Sequence, residues 1–187
     1  MTTLATVDDL LVLLGRGHAV SDEPHVDGLS HALQCGALLR AEHPADPELA
    51  IAGLVHDVSD IADPSDHRDH DRRSALLVAP LLGARVARLV GAHVVAKRYL
   101  VATDHEYRSQ LSVRSVETLR DQGGALDHDA FSKLASDPDF DAILALRRAD
   151  ERAKDPHASV PGLESWRTLL EQVAERGAER TAESGNA

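Results

Sequence analysis

The chain has 187 residues, of which 43% are hydrophobic and only 3% aromatic, and its net charge is -11. That length suits one domain with a full core, and the acidity argues against nucleic acid or an anionic membrane surface as a partner, because phosphates recruit clustered Lys and Arg. The one cysteine, Cys35, excludes an internal disulfide and fits a reducing cytoplasm, where the chain is expected; no apolar run approaches the ~20 residues of a membrane span, and no signal peptide opens the sequence.

Thr6 caps a first predicted helix that runs to Leu14, with Leu10, Leu11 and Leu14 as its stripe. Residues 15–28 are Gly-rich and polar and are predicted as a loop. A second helix covers 29–42, with His31 in its first turn. Asp46-Pro47 opens a third helix, which ends near His56-Asp57. Residues 58–69 read as a polar connection. A fourth helix carries His70 to about 82, and Gly83 breaks it. A fifth, about 84–99, carries Val86, Leu89, Val90 and His93 on one side, with Lys97 one turn on. Residues 102–112 read as irregular. Ser112 or Ser115 caps a short helix that ends at Gly123-Gly124. A further short helix covers 127–136. Asp137-Pro138 opens a long helix containing Arg147, Asp150 and Lys154, and Asp155-Pro156 ends it. A last amphipathic helix covers 163–175, and the tail 177–187 is predicted to fray. No segment alternates as a strand does. The reading is one all-α bundle over 1–187, with its core at about 29–156.

The chain has eleven histidines. His18, His43, His105, His128 and His157 read as surface residues. His31, His56, His70 and His93 each sit in an apolar helical setting, and Asp57 and Asp150 accompany them. His67, three residues before His70, is the second choice at that position. Imidazole with carboxylate suits Fe, Mn, Zn, Co or Ni and disfavours Ca and Mg. Four His and two Asp are too many for one ion that must also bind substrate. They fit two ions, with Asp57 giving one oxygen to each. Lys97 shares a helix face with His93, and Arg147 shares one with Asp150. Ser115, Thr118 and Gln122 recur every three to four residues on another helix. Two cations and three neutral donors suit a tetrahedral dianion.

The ordered set His31, His56-Asp57, His70, His93 and Asp150 resembles the HD-domain superfamily of helical metalloproteins. The stretches HALQCGALLRAE, HVVAKRYL, LSVRSVETLRDQGG and LRRADERAKDP look like its mixed-valent di-iron oxygenase branch, related to myo-inositol oxygenase. This resemblance implies a dinuclear iron site, Fe(II)/Fe(III), held by those six residues. It implies O2 as co-substrate and no organic cofactor. It also implies a small organophosphonate substrate, a 1-hydroxyalkylphosphonate, cleaved at its carbon–phosphorus bond to phosphate and a carboxylate. Lys97, Arg147, Ser115, Thr118 and Gln122 match the family's anion-binding positions.

The chain departs from the branch in two places. The loop HAVSDEPHVDGLSH lacks the Tyr that closes over the iron, although Glu23 or Asp27 stands in for the accompanying acid. The family's HDxxH is here HDVSD, so Asp60 replaces a substrate-facing His. That implies a substrate with a cationic head, or lost activity. Two other functions fit the same frame: a metal-dependent phosphohydrolase of a nucleotide or phosphomonoester, and a phosphonate-binding protein without turnover. Nothing in the sequence sets the oligomeric state.

Overall fold

Helix α1 (Val7–Gly15) starts at a capping box: Thr6 Oγ1 accepts the Asp9 N–H at 3.1 Å, and the Asp9 carboxylate accepts the Thr6 N–H at 2.9 Å. The structure, a computed structural model, describes residues 3–23, 25–65, 67, 69–124, 126 and 128–184. The side chain of Glu23 and the end of the tail, 185–187, lie outside the described residues.

The segment 15–28 is more ordered than a loop. It holds a 3-10 turn (Arg16–Ala19) and an antiparallel pair, β1 (Ser21–Glu23) and β2 (Val26–Asp27). Strands this short carry no readable alternation, which is why the sequence predicts none. Asp27 ends the pair and caps α2 (Gly28–Glu42), accepting the Ser30 N–H at 2.7 Å. Asp46 does the same for α3 (Pro47–Val55), whose first residue is proline.

The connection after His56-Asp57 contains a further helix, α4 (Val58–Ala62), where the sequence predicts only a polar link. Val58 and Ile61 are buried, and these two contacts stabilise what its turn-forming residues disguise. In the predicted irregular stretch 102–112, Asp104 caps α6 (His105–Gln110), and Tyr107 is buried against Leu100 and Val101. Ser112 caps α7 (Val113–Asp121). Helices α8 (His128–Ala135) and α9 (Phe140–Arg152) follow. After a 3-10 turn ending at the fully buried Trp166, α10 (Arg167–Ser184) runs well beyond the predicted end at 175. Two contacts hold the extension down: Arg180 pairs with Glu48, and Gly177 packs on the backbone of Leu82 and Gly83.

Helix α5 (His70–Thr103) is bent back at Gly83, whose φ of 86° and ψ of 172° interrupt the helix. Only glycine adopts such a φ without strain. His70 and His93 are 23 residues apart, which a straight helix would spread over ~35 Å, yet their ring nitrogens lie 3.0 Å apart. A Cβ on Gly91 would likewise touch the Ala75 side chain at 3.3 Å. The two arms, 70–82 and 84–103, therefore run side by side in opposite directions. By composition this stretch is long and apolar enough to cross a membrane, contrary to the sequence expectation. Here it is a folded-back core element, packed by α3, α9 and α10.

Helices α2 and α3 approach closely at Gly53. A Cβ there would lie 2.5 Å from Leu39 Cδ1 and 3.2 Å from the Cys35 carbonyl carbon. This approach brings the end of α3 up to the first turn of α2, so His56 meets His31.

Candidate metal centre and anion cavity

The six predicted residues come from three helices and one junction. His31 lies in the first turn of α2. His56 and Asp57 are the C-cap of α3 and the N-cap of α4, at the break between helices rather than within one. The Asp57 carboxylate makes no capping hydrogen bond, so it is left to face inward. His70 is the first residue of α5, His93 stands on its second arm, and Asp150 is on α9.

These side chains form two groups. In the first, His31 Nε2 lies 3.2 Å from His56 Nε2 and 3.3 Å from Asp150 Oδ1, and His56 Nε2 lies 3.6 Å from Asp150 Oδ1. In the second, His70 Nε2 lies 3.0 Å from His93 Nε2. Asp57 joins them: its Oδ2 is 3.3 Å from His56 Nε2, while its Oδ1 is 3.5 Å from His70 Nε2 and 3.6 Å from His93 Nε2. Within each group one nitrogen or oxygen per residue lies within 4.8 Å of the others.

The ring tautomers follow from the opposite nitrogens. Nδ1 of His31, His56, His93 and His70 faces the carbonyl oxygens of Ala153, Gly53, Val90 and His67 at 2.9, 2.8, 2.7 and 3.3 Å. A carbonyl only accepts, so each Nδ1 carries the proton and each Nε2 presents a lone pair. Paired lone pairs at 3.0–3.2 Å need a shared cation between them. Asp57 Oδ1 is buried with no hydrogen-bond partner among the described residues, and it points to the same place. Three or four convergent N and O donors per group fit a transition-metal ion.

Burial opposes protonation of His56, yet the charges of Asp57 and Asp150 hold its pKa well above the ordinary imidazole value, so this anionic site draws a cation, a proton or a metal ion. Burial opposes ionisation of Asp57, but His56, His70 and His93 hold its carboxyl well below the usual range. Burial likewise opposes ionisation of Asp150, and Arg147 with His31 and His56 keeps it low. Burial and the neighbouring His70 push His93 down to about 3, so that ring stays neutral and able to ligate. Burial pushes the Cys35 thiol up to about 12, which keeps it protonated.

A cavity of about 820 Å³ opens above the two groups. Lys97, Arg147, Ser115, Thr118, Gln122 and Asp60 all line it, as do Lys154 and His67. Lys97 is buried and donates to two neutral acceptors, Thr118 Oγ1 at 2.6 Å and Gln122 Oε1 at 3.1 Å. Burial, aided by the charge of Arg147, lowers its pKa to about 8. Arg147 is more committed. Its Nε donates to Tyr107 Oη at 2.5 Å, and its terminal nitrogens pair with Asp150 and Glu151. His67 stands outside both groups, with its Nδ1 3.0 Å from Asp60 Oδ2 and its carbonyl against His70. Asp27, which the sequence offers as a stand-in acid over the metals, is the cap of α2.

Sequence reasoning missed Lys154, Glu151 and Tyr107. Lys154 Nζ donates to Ser112 Oγ and Ser115 Oγ, both at 3.0 Å, and Glu151 binds Arg147 and Ser115. A signal existed: Glu151 follows Arg147 by four residues and Lys154 follows Asp150 by four, so they share the face already assigned.

No family profile matches the chain. It is 31% identical over 168 residues to a hydroxymethylphosphonate dioxygenase of Gimesia maris, an alignment that spans 85% of this chain and 83% of the relative. It is 27% identical over 154 residues to the glycine-betaine-forming [1-hydroxy-2-(trimethylamino)ethyl]phosphonate dioxygenase of Leisingera caerulea, spanning 78% of each.

Proposed function

Because this chain belongs to the HD-domain family of phosphonate dioxygenases, and is thus an oxygenase acting on a small phosphonate, we propose that it cleaves the carbon–phosphorus bond of a 1-hydroxyalkylphosphonate. O2 is the co-substrate, and the products are phosphate and a carboxylate. Substrate plus O2 balances these products, with one atom of O2 retained in each. The observation that carries the reading is Asp57. Its two oxygens serve two separate His groups at the floor of a cavity whose wall holds Lys97.

In this reading His31, His56 and Asp150 would hold one iron and His70 and His93 the other, with an oxygen of Asp57 available to each. The bound Fe(II)/Fe(III) pair supplies the activation of O2 and the oxidation at C1. The chain supplies the rest. The backbone carbonyls fix each imidazole, so the Nε2 donors are set before substrate arrives. Arg147 holds Asp150 in place. Lys97 donates to a phosphonate oxygen, and Thr118 and Gln122, now its partners, turn to the same anion. The clamp orients C1 over the metals. The second group has fewer protein donors and includes the partly exposed His70, so it is the side open to substrate. Asp60 faces the substituent on C1, and a carboxylate beside a bound dianion is costly unless it meets a positive group. The substituent it favours is an ammonium.

The test is an O2-dependent phosphate-release assay on 1-hydroxyphosphonates, run beside metal analysis and EPR. Phosphate release with O2 uptake and two irons per chain is the expected result. Phosphate released from a phosphomonoester without O2 would instead identify a phosphohydrolase. Tight phosphonate binding with no turnover would identify a binding protein.

A further inference from the structure

Helix α7 carries Ser115, Thr118 and Gln122 along one wall of the cavity, yet little apolar contact attaches it. Ser115 is its one buried residue, Leu119 is half-buried against Leu100, Val101 and Tyr107, and Val113 is 77% exposed. Polar contacts hold it at two points. After its C-terminal end, Lys97 meets Thr118 and Gln122, and Arg98 Nε donates to the Gly124 carbonyl at 2.9 Å. At its N-terminal end Lys154 donates to the Ser112 and Ser115 hydroxyls, and Glu151 binds the same two residues.

The Glu151 side chain is only 6% exposed, and both of its oxygens are fully engaged. Oε1 accepts the Ser112 backbone N–H at 2.8 Å and Lys154 Nζ at 3.1 Å. Oε2 accepts the Ser115 hydroxyl at 2.8 Å and an Arg147 N–H. Two bonds reach across to the cap and first turn of α7. The other two neutralise cations on either side along α9 and just beyond it. Arg147 in turn grips Asp150. One carboxylate thus ties this wall of the cavity to the chain segment that supplies Asp150 to the metal centre.

We propose that Glu151 is a positioning residue that docks α7 on α9, and so sets Ser115, Thr118 and Gln122 in line with Lys97 for the phosphonate. Glu151 acts through these residues and does not touch the substrate. Its bonds are charge-assisted and hence stronger than bonds between neutral groups. Without the charge, the Ser112 N–H and the Ser115 hydroxyl donate to a weaker acceptor and Arg147 faces Lys154 unneutralised. The N-terminal turn of α7 then lifts from the cavity. The substrate half of this inference rests on the phosphonate reading above; the docking half does not.

Hydrogen exchange measured by mass spectrometry on the metal-loaded full chain tests both halves. The variants are Glu151→Gln, which keeps the shape and removes the charge, and Ser115→Ala, which removes one hydroxyl and no charge. The expected result for Glu151→Gln is exchange at 113–121 about tenfold faster, the order of one lost charge-assisted hydrogen bond, with α3 and both arms of α5 unchanged. The Kd for methylphosphonate rises by about the same factor, and the metal content stays at two per chain. Ser115→Ala shifts both readouts in the same direction by less. Unchanged protection of 113–121 in both variants overturns the docking role. Should Glu151→Gln fail to fold, the exchange of Ser115→Ala decides alone. Faster exchange at 113–121 with methylphosphonate binding unaltered keeps the docking role and overturns the phosphonate site.

Discussion

The Nε2 atoms of His31 and His56 face each other at 3.2 Å, while the other nitrogen of each ring is hydrogen-bonded to a backbone carbonyl. Two lone pairs are aimed at one point in a buried site, and the fold alone does not relieve their repulsion. Metal removal should therefore destabilise the protein. Each ion present at a thousand times its Kd contributes about 4 kcal/mol, so losing both lowers the melting temperature of a chain this size by roughly 20 °C. Calorimetry before and after chelation, with readdition of Fe, checks this. A melting temperature indifferent to chelation would sink the metal centre.

Arg147 carries more than the sequence suggests. It is buried and grips both Asp150 and Glu151. Arg147→Ala leaves the buried Asp150 without its guanidinium and Glu151 with Lys154 as its remaining cation, which costs ~3–5 kcal/mol. It also frees a metal-centre carboxylate, so metal affinity should fall by roughly 10–100-fold. Denaturant unfolding and metal titration read the two effects separately. If only the substrate KM rises, with metal content and stability intact, Arg147 serves the anion alone.

Lys97 sets a pH limit. Its pKa is lowered to about 8 by burial and by Arg147, so it is charged below that pH and loses its proton as pH rises through it. A phosphonate binds the charged form. The substrate KM should thus rise above about pH 8 in the wild type. In Lys97→Met the KM should be roughly 10–100-fold higher at neutral pH, the worth of a charged hydrogen bond, and the alkaline limb should vanish. A pH–KM profile with the same alkaline limb in both proteins would assign it to another group.

Asp60 has one oxygen against His67 and the other buried with no hydrogen-bond partner among the described residues. Burial, and then the charge of Asp57, raises its pKa, so an ionised Asp60 needs a cation beside it. The two relatives named above act on phosphonates with and without a quaternary ammonium. The expected outcome is a wild-type preference for ammonium-bearing substrates in kcat/KM, reduced about tenfold by Asp60→Asn, as for one lost ion contact. Equal effects of Asp60→Asn on both substrate types would make Asp60 a partner of His67 and nothing more.

The sequence alone determined most of the helical segments, though not α4 or α6, and where most of them start, because caps and apolar periodicity are local. Thr6, Asp46 and Ser112 mark their helices whatever surrounds them, and Gly83 breaks its helix through its own φ. It also named the six residues that gather at the centre, since each combines a metal-competent group with an apolar helical setting. What it left open depends on burial and on distance along the chain. Helix α4 and the end of α10 are held by contacts with remote elements, and their own residues read as turn and tail. Only the tertiary structure shows that α5 folds back at Gly83 to bring His70 onto His93, and that the close approach at Gly53 sets His56 against His31. It alone divides the oxygens of Asp57 between two groups and puts Glu151 between Arg147, Lys154 and α7. Those are relations between side chains that the packing of the arms brings together, and no local pattern encodes them.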